Sequence, residues 1–240
     1  MRGRKVMNEM NYNIHQVAEN TWAMQEGTMV SSYLVIGSET ALLIDAGGML
    51  PEMRERVEEL TGLPVTVTLT HGHGDHIHCL KQFESACVDP ADIELIRGGQ
   101  TDIGKCVLKP IGPGHIFDLG GRQIEALGLR GHTRGGLAYL DRQNRLLFSG
   151  DTINLGPVFM FMPESDFDVL IAELKRYDAM DDFDLIFPAH NKHPIGPEKI
   201  KDMIACAEAV RDGKIEGTEP QRPLPPGVKV YMKGDCGFFR

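Results

Sequence analysis

Residues 64–76, PVTVTLTHGHGDH, decide how this chain is read. The β-branched side chains of Val65, Thr66, Val67 and Thr68 lose rotamer freedom in a helix and pack well on a pleated surface, so the first half predicts a short buried strand. The second half ends that strand with His71, His73, Asp75 and His76, four groups that can hold a metal within six residues. Residues two apart in an extended segment face the same way, which aims His71 and His73 together, and the glycines between them admit a tight backbone path. Imidazole plus carboxylate suits zinc, iron or manganese. A solvated polar loop is the bland alternative, yet three histidines and an aspartate at the mouth of a buried strand point to metal.

Working outward, NTWAMQE (20–26), SSYLVIG (31–37) and ALLID (41–45) predict a meander of antiparallel strands that ends at Asp45. Gly47 and Gly48 break it. PEMRERVEELTG (51–62) then reads as a helix, with Pro51 in its first turn, Met53, Val57 and Leu60 on one face, and Gly62 as the stop. Beyond the histidines, DPADIELIR (89–97) starts a helix with Asp89 as cap and Pro90 first. Residues 106–149 return to strands around turns at Gly120-Gly121 and 142–144. DFDVLIAELKRYDAM (166–180) spaces Phe167, Leu170, Ile171, Leu174 and Tyr177 as an amphipathic helix. DLIFPAH (184–190) repeats the strand-then-histidine pattern, and a second helix runs from Pro197 to about Val210. Residues 211–227 read as a polar, proline-rich surface connection, and GVKVYMK (227–233) leads into a last strand. Strands in two batches, each followed by helices, suggest two sheets packed face to face with helices outside, in one domain over 1–240.

The motif H-x-H-x-D-H is met in full by His71, His73, Asp75 and His76, and here the chain resembles the metallo-β-lactamase superfamily over nearly its whole length. LLIDAG (42–47) resembles the family's strand ending in Asp; RGHTRGG (130–136) supplies His132, SGDT (149–152) Asp151 and FPAH (187–190) His190, all in the family's order. The resemblance implies an α+β fold, an αββα sandwich of two packed mixed β-sheets with helices on the outer faces. It also implies that His71, His73 and His132 hold one metal, that Asp75, His76 and His190 hold a second, and that Asp151 bridges them. Two divalent transition-metal ions follow as cofactors, zinc first, with iron or manganese compatible. Such a pair, roughly 3.5–4 Å apart, shares a water and lowers its pKa from 15.7 toward about 7, so that hydroxide is the nucleophile. Asp75 would steer that water or move protons, and Asp45 would orient a ligand.

The activity so implied is hydrolysis of a small ester, thioester or lactone, as in glyoxalase II-like and lactonase-like members. The alternatives are an iron-dependent redox enzyme of the persulfide dioxygenase type, and a phosphodiesterase or nuclease on the same fold. No G-x-S-x-G elbow offers a serine nucleophile. Two departures bear on the substrate pocket: Arg134-Gly135-Gly136 follows His132 where the family often has Pro-Gly-Ser, and His78 and Cys79 stand where it often has a small pair. Residues 152–164 carry an apolar run, Val158 to Met162, which reads as a loop or irregular segment that lines the pocket or plugs the core. Lys192, two after His190, reads as an exposed lysine.

Composition narrows the partners. With 25 basic and 34 acidic residues the net charge is −9, no footprint for phosphate backbones or anionic lipid. A small-molecule substrate is expected, without nucleic acid or membrane, and oligomeric state is left open. No apolar run approaches bilayer length, and MRGRKVMNEMNYN at the start lacks the apolar stretch of a secretory signal. Five cysteines without a C-x-x-C pair fit small buried residues in a reducing compartment, so a cytoplasmic location is expected.

Overall fold

A strand buried on both faces carries apolar side chains at nearly every position, as ALLI (41–44) does. The computed structural model describes residues 12–26, 30–48 and 50–240. The first sheet runs in the order β1 (Tyr12–Ala18), β2 (Thr21–Glu26), β3 (Val30–Ile36), β4 (Ala41–Ile44), β5 (Val65–Thr68), β6 (Ser85–Val88) and β7 (Val107–Pro110). Its first four strands pair antiparallel and the rest parallel. The second sheet comprises β8 (Ile116–Asp118), β9 (Gln123–Gly128), β10 (Leu137–Asp141), β11 (Leu146–Gly150) and, past β12 (Gly156–Phe159), β13 (Leu185–Pro188), which pairs parallel with β11 at the edge. β12 itself joins β14 (Val230–Lys233) and β15 (Cys236–Phe239) in a small third sheet.

Alternation assigns the layers. In β3 and β4, Tyr33, Val35, Leu42 and Ile44 point to one side and meet Ile124, Tyr139, Phe148 and Phe187 of the second sheet. Leu34 and Leu43 point to the other side, onto Met53 and Val57 of α1 (Met53–Thr61) and Ile96 further along. The second sheet repeats the scheme: Ala138, Leu140 and Leu147 turn outward onto Leu170, Leu174, Met203 and Ala207. Each such side chain contributes roughly 1.5–3 kcal/mol when fully buried. The order is therefore helix, sheet, sheet, helix, the αββα sandwich of mixed sheets that the sequence implies.

The helices begin and end where local chemistry directs. Gly62 takes a left-handed φ of 61° after α1 and returns its N–H to the Glu58 carbonyl. After the short α2 (Gly74–Ile77), α3 (Pro90–Gly98) is capped by the Asp89 carboxylate, which accepts from Ala91 N–H at 2.9 Å. Asp166 caps α4 (Phe167–Asp178) in the same way, and α5 (Lys199–Arg211) packs beside α4.

Three expectations need correction. β1 extends the meander by one strand. Residues 156–159 form β12 rather than a loop, because β15 pairs with them in parallel register, Gly156 to Cys236 through Phe159 to Phe239. The chain ends in a hairpin of two strands, not one. All five cysteines are buried and unbridged.

Candidate metal centre

Strand direction gathers the site. β4 and β5 are parallel in the first sheet, β11 and β13 in the second, and β9 runs the same way as β11 because both are antiparallel to β10. Their carboxyl ends release Asp45, the HGHGDH turn, Asp151, His190 and His132. Two buried tyrosines fasten these ends across the sandwich: Tyr139 donates to the Leu69 carbonyl at 2.7 Å, two residues before His71, and Tyr33 to the Pro188 carbonyl at 2.5 Å, two before His190. Burial holds both phenols protonated, well above their ordinary pKa. Gly150 turns the chain into Asp151 at φ 56°, and a Cβ there would lie 2.7 Å from Thr70 Oγ1, so no other residue fits.

The structure brings all seven sequence-predicted residues together. Their donor atoms fall into three overlapping groups within 4.8 Å: His71 with His73 and His132, His71 with His76 and Asp151, and Asp75 with His76 and His190. Asp151 faces both sides. Its Oδ1 lies 3.1 Å from His76 Nε2 and 3.3 Å from His190 Nε2, while Oδ2 lies 3.5 Å from His132 Nε2 and 4.0 Å from His71 Nε2.

Outward contacts fix which ring nitrogens face the centre. Thr70 spends its hydroxyl proton on Asp45 Oδ2 at 2.8 Å, so its oxygen accepts from His71 Nδ1 at 3.1 Å. His73 Nε2 donates to Glu164 Oε1 at 2.9 Å, His132 Nδ1 to the Phe159 carbonyl at 2.8 Å, and His76 Nδ1 to Asp45 Oδ2 at 2.8 Å. Each bond leaves the other nitrogen turned inward. His71 Nε2 and His73 Nδ1 then face each other at 3.1 Å with their protons committed elsewhere, a repulsive pair of lone pairs rather than a hydrogen bond. His132 Nε2 is likewise buried without a hydrogen-bond partner, and Asp151 Oδ1 lies between His76 Nε2 and His190 Nε2 with no donor but these imidazoles. Converging, buried, unsatisfied donors are what a cation requires, so the residues present fit divalent ions.

Charge agrees. Burial lowers the His71 imidazole well below its usual range, helped by His76, and brings His132 down to about 4. Burial would also lower His190 and His76, but Asp151 outweighs it, lifting His190 to about 10 and His76 well above 6.5. Burial pushes the Asp75 carboxyl up, yet the His76 charge and a hydrogen bond from His190 hold it at about 2. Protons on His76 and His190 thus answer the demand of Asp75 and Asp151 for positive charge, and a divalent ion answers it more fully.

Two carboxylates escaped the sequence reading. Glu164 lies in the stretch read as pocket or core. Asp92 is buried in the first turn of α3 and accepts from Gly72 N at 2.9 Å, Thr133 Oγ1 at 2.8 Å and Gly135 N at 2.7 Å, tying the His71–His73 turn to the His132 loop. An acid four residues before Ile96, on the buried face of a helix, was the available signal. Burial raises its carboxyl despite those bonds. Cys79 proves structural: its Sγ is buried against the carbonyls of Gly47, Gly48 and Leu50 at 3.4–3.6 Å. The apolar run divides, with Val158 and Met160 in the core and Phe159 and Phe161 half-buried on the opposite side.

Comparison with known proteins agrees with the geometry. Residues 26–99 match the model of the metallo-beta-lactamase superfamily. The chain is 27% identical over 207 residues to a protein of Homo sapiens named acyl-coenzyme A thioesterase MBLAC2, covering 69% of this chain and 74% of that one. It is 27% identical over 180 residues to hydroxyacylglutathione hydrolase GloC of Haemophilus influenzae, covering 67% and 85%. A metallo-beta-lactamase from Pontibacter korlensis superposes with a TM-score of 0.68 at 17% identity, over 82% of this chain and 99% of that one, a likeness of fold. Among the described residues no helix is long and apolar enough to cross a membrane. Residues 26–99 thus match the metallo-β-lactamase superfamily, and the chain as a whole shares the fold of its solved members.

Proposed function

We propose that this protein is a metal-dependent hydrolase of small acyl thioesters, with one divalent ion held by His71, His73 and His132 and a second by Asp75, His76 and His190. Asp151 carries the reading, because each of its carboxylate oxygens addresses a different triad. Bound there, such ions, zinc first, supply a water acidic enough to attack at neutral pH and a Lewis acid for the carbonyl oxygen. The chain's own residues do the rest. Asp45, Thr70, Glu164 and the Phe159 carbonyl hold the imidazoles in the tautomers that present lone pairs inward. Asp75, half-exposed and ionised, accepts a hydrogen bond from the attacking water and orients it. Phe159, whose carbonyl meets His132, and Phe161 against its ring suit the uncharged stretch of an acyl substrate.

Thioesters are favoured over other acyl compounds because one of the similar proteins is named a thioesterase of acyl-coenzyme A and the other a hydrolase of hydroxyacylglutathione, an acyl group carried by a thiol. A one-iron redox enzyme would leave the Asp75–His76–His190 triad without a task, and the net charge of −9 disfavours nucleic acid. The test is hydrolysis of acyl thioesters, lactones, phosphodiesters and β-lactams by zinc-, iron- and manganese-loaded protein, with oxygen uptake recorded alongside. Thioester turnover that chelation abolishes and metal restores supports the reading. Oxygen consumption, or turnover of phosphodiesters alone, would sink it.

A further inference from the structure

Among the described residues, every arginine except Arg134 and Arg222 sets its guanidinium against a carboxylate or a backbone carbonyl. Both exceptions are exposed; Arg134 lies two residues after His132, and Arg222 is linked to His132 through Phe159. Arg134 sits between Thr133 and Gly135, which both turn inward onto Asp92, at 2.8 and 2.7 Å. Pinned on either side, the loop leaves the Arg134 side chain directed outward. A Cβ at position 135 would meet Asp92 at 2.7 Å, so the first glycine of the Arg134-Gly135-Gly136 departure serves this pinning. Arg222 comes from the proline-rich connection, and its guanidinium lies 5.1 Å from the centre of the Phe159 ring. The carbonyl of that same Phe159 accepts from His132.

Exposed guanidiniums can rest in water, so exposure alone means little. What distinguishes these two is that a protein with an excess of acids leaves them without one, while each is tied to His132, Arg134 along the chain and Arg222 through Phe159. The acids nearest the metal site are already engaged by histidines: Asp45 and Asp75 by His76 and His190, Glu164 by His73. Guanidinium is a rigid planar fork matched to carboxylate and phosphate oxygens.

We propose that Arg134 and Arg222 form an anion-binding edge beside His132 that takes the phosphate or carboxylate carried by the thiol part of an acyl thioester. This rests on the thioester reading and extends it to the leaving group. The probes are non-hydrolysable thioethers: S-methyl coenzyme A for phosphate, S-methylglutathione for carboxylate, and S-methyl-N-acetylcysteamine as a neutral stem. Titrated calorimetrically into zinc-loaded protein, at least one anionic thioether should bind more tightly than the neutral one, and added salt should weaken it. Arg134→Gln and Arg222→Gln should each weaken that binding about tenfold, the cost of one charge-assisted contact. Lysine at either position should restore part of it, and Lys201→Gln on α5 should change nothing. The tighter of the two anionic probes assigns phosphate or carboxylate. Wild-type protein that binds neither more tightly than the neutral probe overturns the edge, as do variants that weaken all three equally. Hydrolysis of a neutral N-acetylcysteamine thioester, measured separately, shows whether the thioester reading stands when the edge does not.

Discussion

Glu164 Oε1 lies 2.9 Å from His73 Nε2, across 91 residues of sequence, and the segment that carries it also holds His132. Phe159 accepts from the His132 ring, Ser165 Oγ donates to the His132 carbonyl at 3.0 Å, and Asp166 N–H reaches the Gly131 carbonyl at 2.8 Å. One stretch thus positions two of the three histidines of the first triad. Glu164→Gln should lower affinity for one metal ion by roughly 10–100-fold and leave the other nearly unchanged. Chelator competition resolves the two. Equal weakening of both ions would mean that the contact acts on the fold as a whole.

Asp45 plays the corresponding part for His76. It is fully buried at a left-handed φ of 62°, and it accepts from Thr70 N at 2.7 Å as well as from Thr70 Oγ1 and His76. Asp45→Ala strips partners from buried donors, at about 1–3 kcal/mol each, and should lower the melting temperature together with metal affinity. Asp151→Ala removes the group between the triads and should lose far more turnover than Asp45→Ala at saturating metal. The opposite ranking of turnover would move the bridging role away from Asp151.

Within the apolar run, Met160 and Phe159 should now separate. Met160 is buried in the cluster beneath α4 and α5, so Met160→Ala should cost about 2–5 kcal/mol of stability. Phe159 is half-buried between Phe161, Phe239 and Arg222. Phe159→Ala should lower kcat/KM for apolar acyl thioesters with a smaller fall in melting temperature. Thermal melts and kinetics on the same preparations decide, and equal melting losses would place Phe159 in the core.

How much of this was legible in advance follows the range of the interactions. The HGHGDH turn, the later His132, Asp151 and His190, and the αββα layering are written in local motifs and in the period-two alternation of β3 and β4. The parallel pairing of β12 with β15 joins residues about 80 positions apart, and nothing in GPVF announces its partner. Glu164 and Asp92 were missed for the same reason: their partners lie 91, and 20 to 43, residues away. Cys79, whose place beside the histidines leaves a pocket role open in the sequence, is set among the backbone carbonyls of Gly47, Gly48 and Leu50.

Proton linkage should distinguish the triads. With His190 lifted to about 10 and His76 well above 6.5, both are protonated in the metal-free protein at pH 7, so filling the second triad must release protons. Its affinity should rise with pH until about 10. His71 and His132 are lowered, His132 to about 4, so neither of these two has a proton to give up at pH 7, and the first triad should release fewer protons than the second. Calorimetry in buffers of different ionisation enthalpy reads the protons released. Identical release for both ions would remove the electrostatic distinction between the triads.

The most direct test of the account is the number of metal ions bound per chain, counted by elemental analysis after equilibration with zinc and removal of loose ions. Two ions are predicted for the wild type, and about one for His132→Ala and for His190→Ala, with thioester turnover falling in both. A single ion in the wild type that His190→Ala leaves in place, or full turnover from protein stripped of metal, would contradict it.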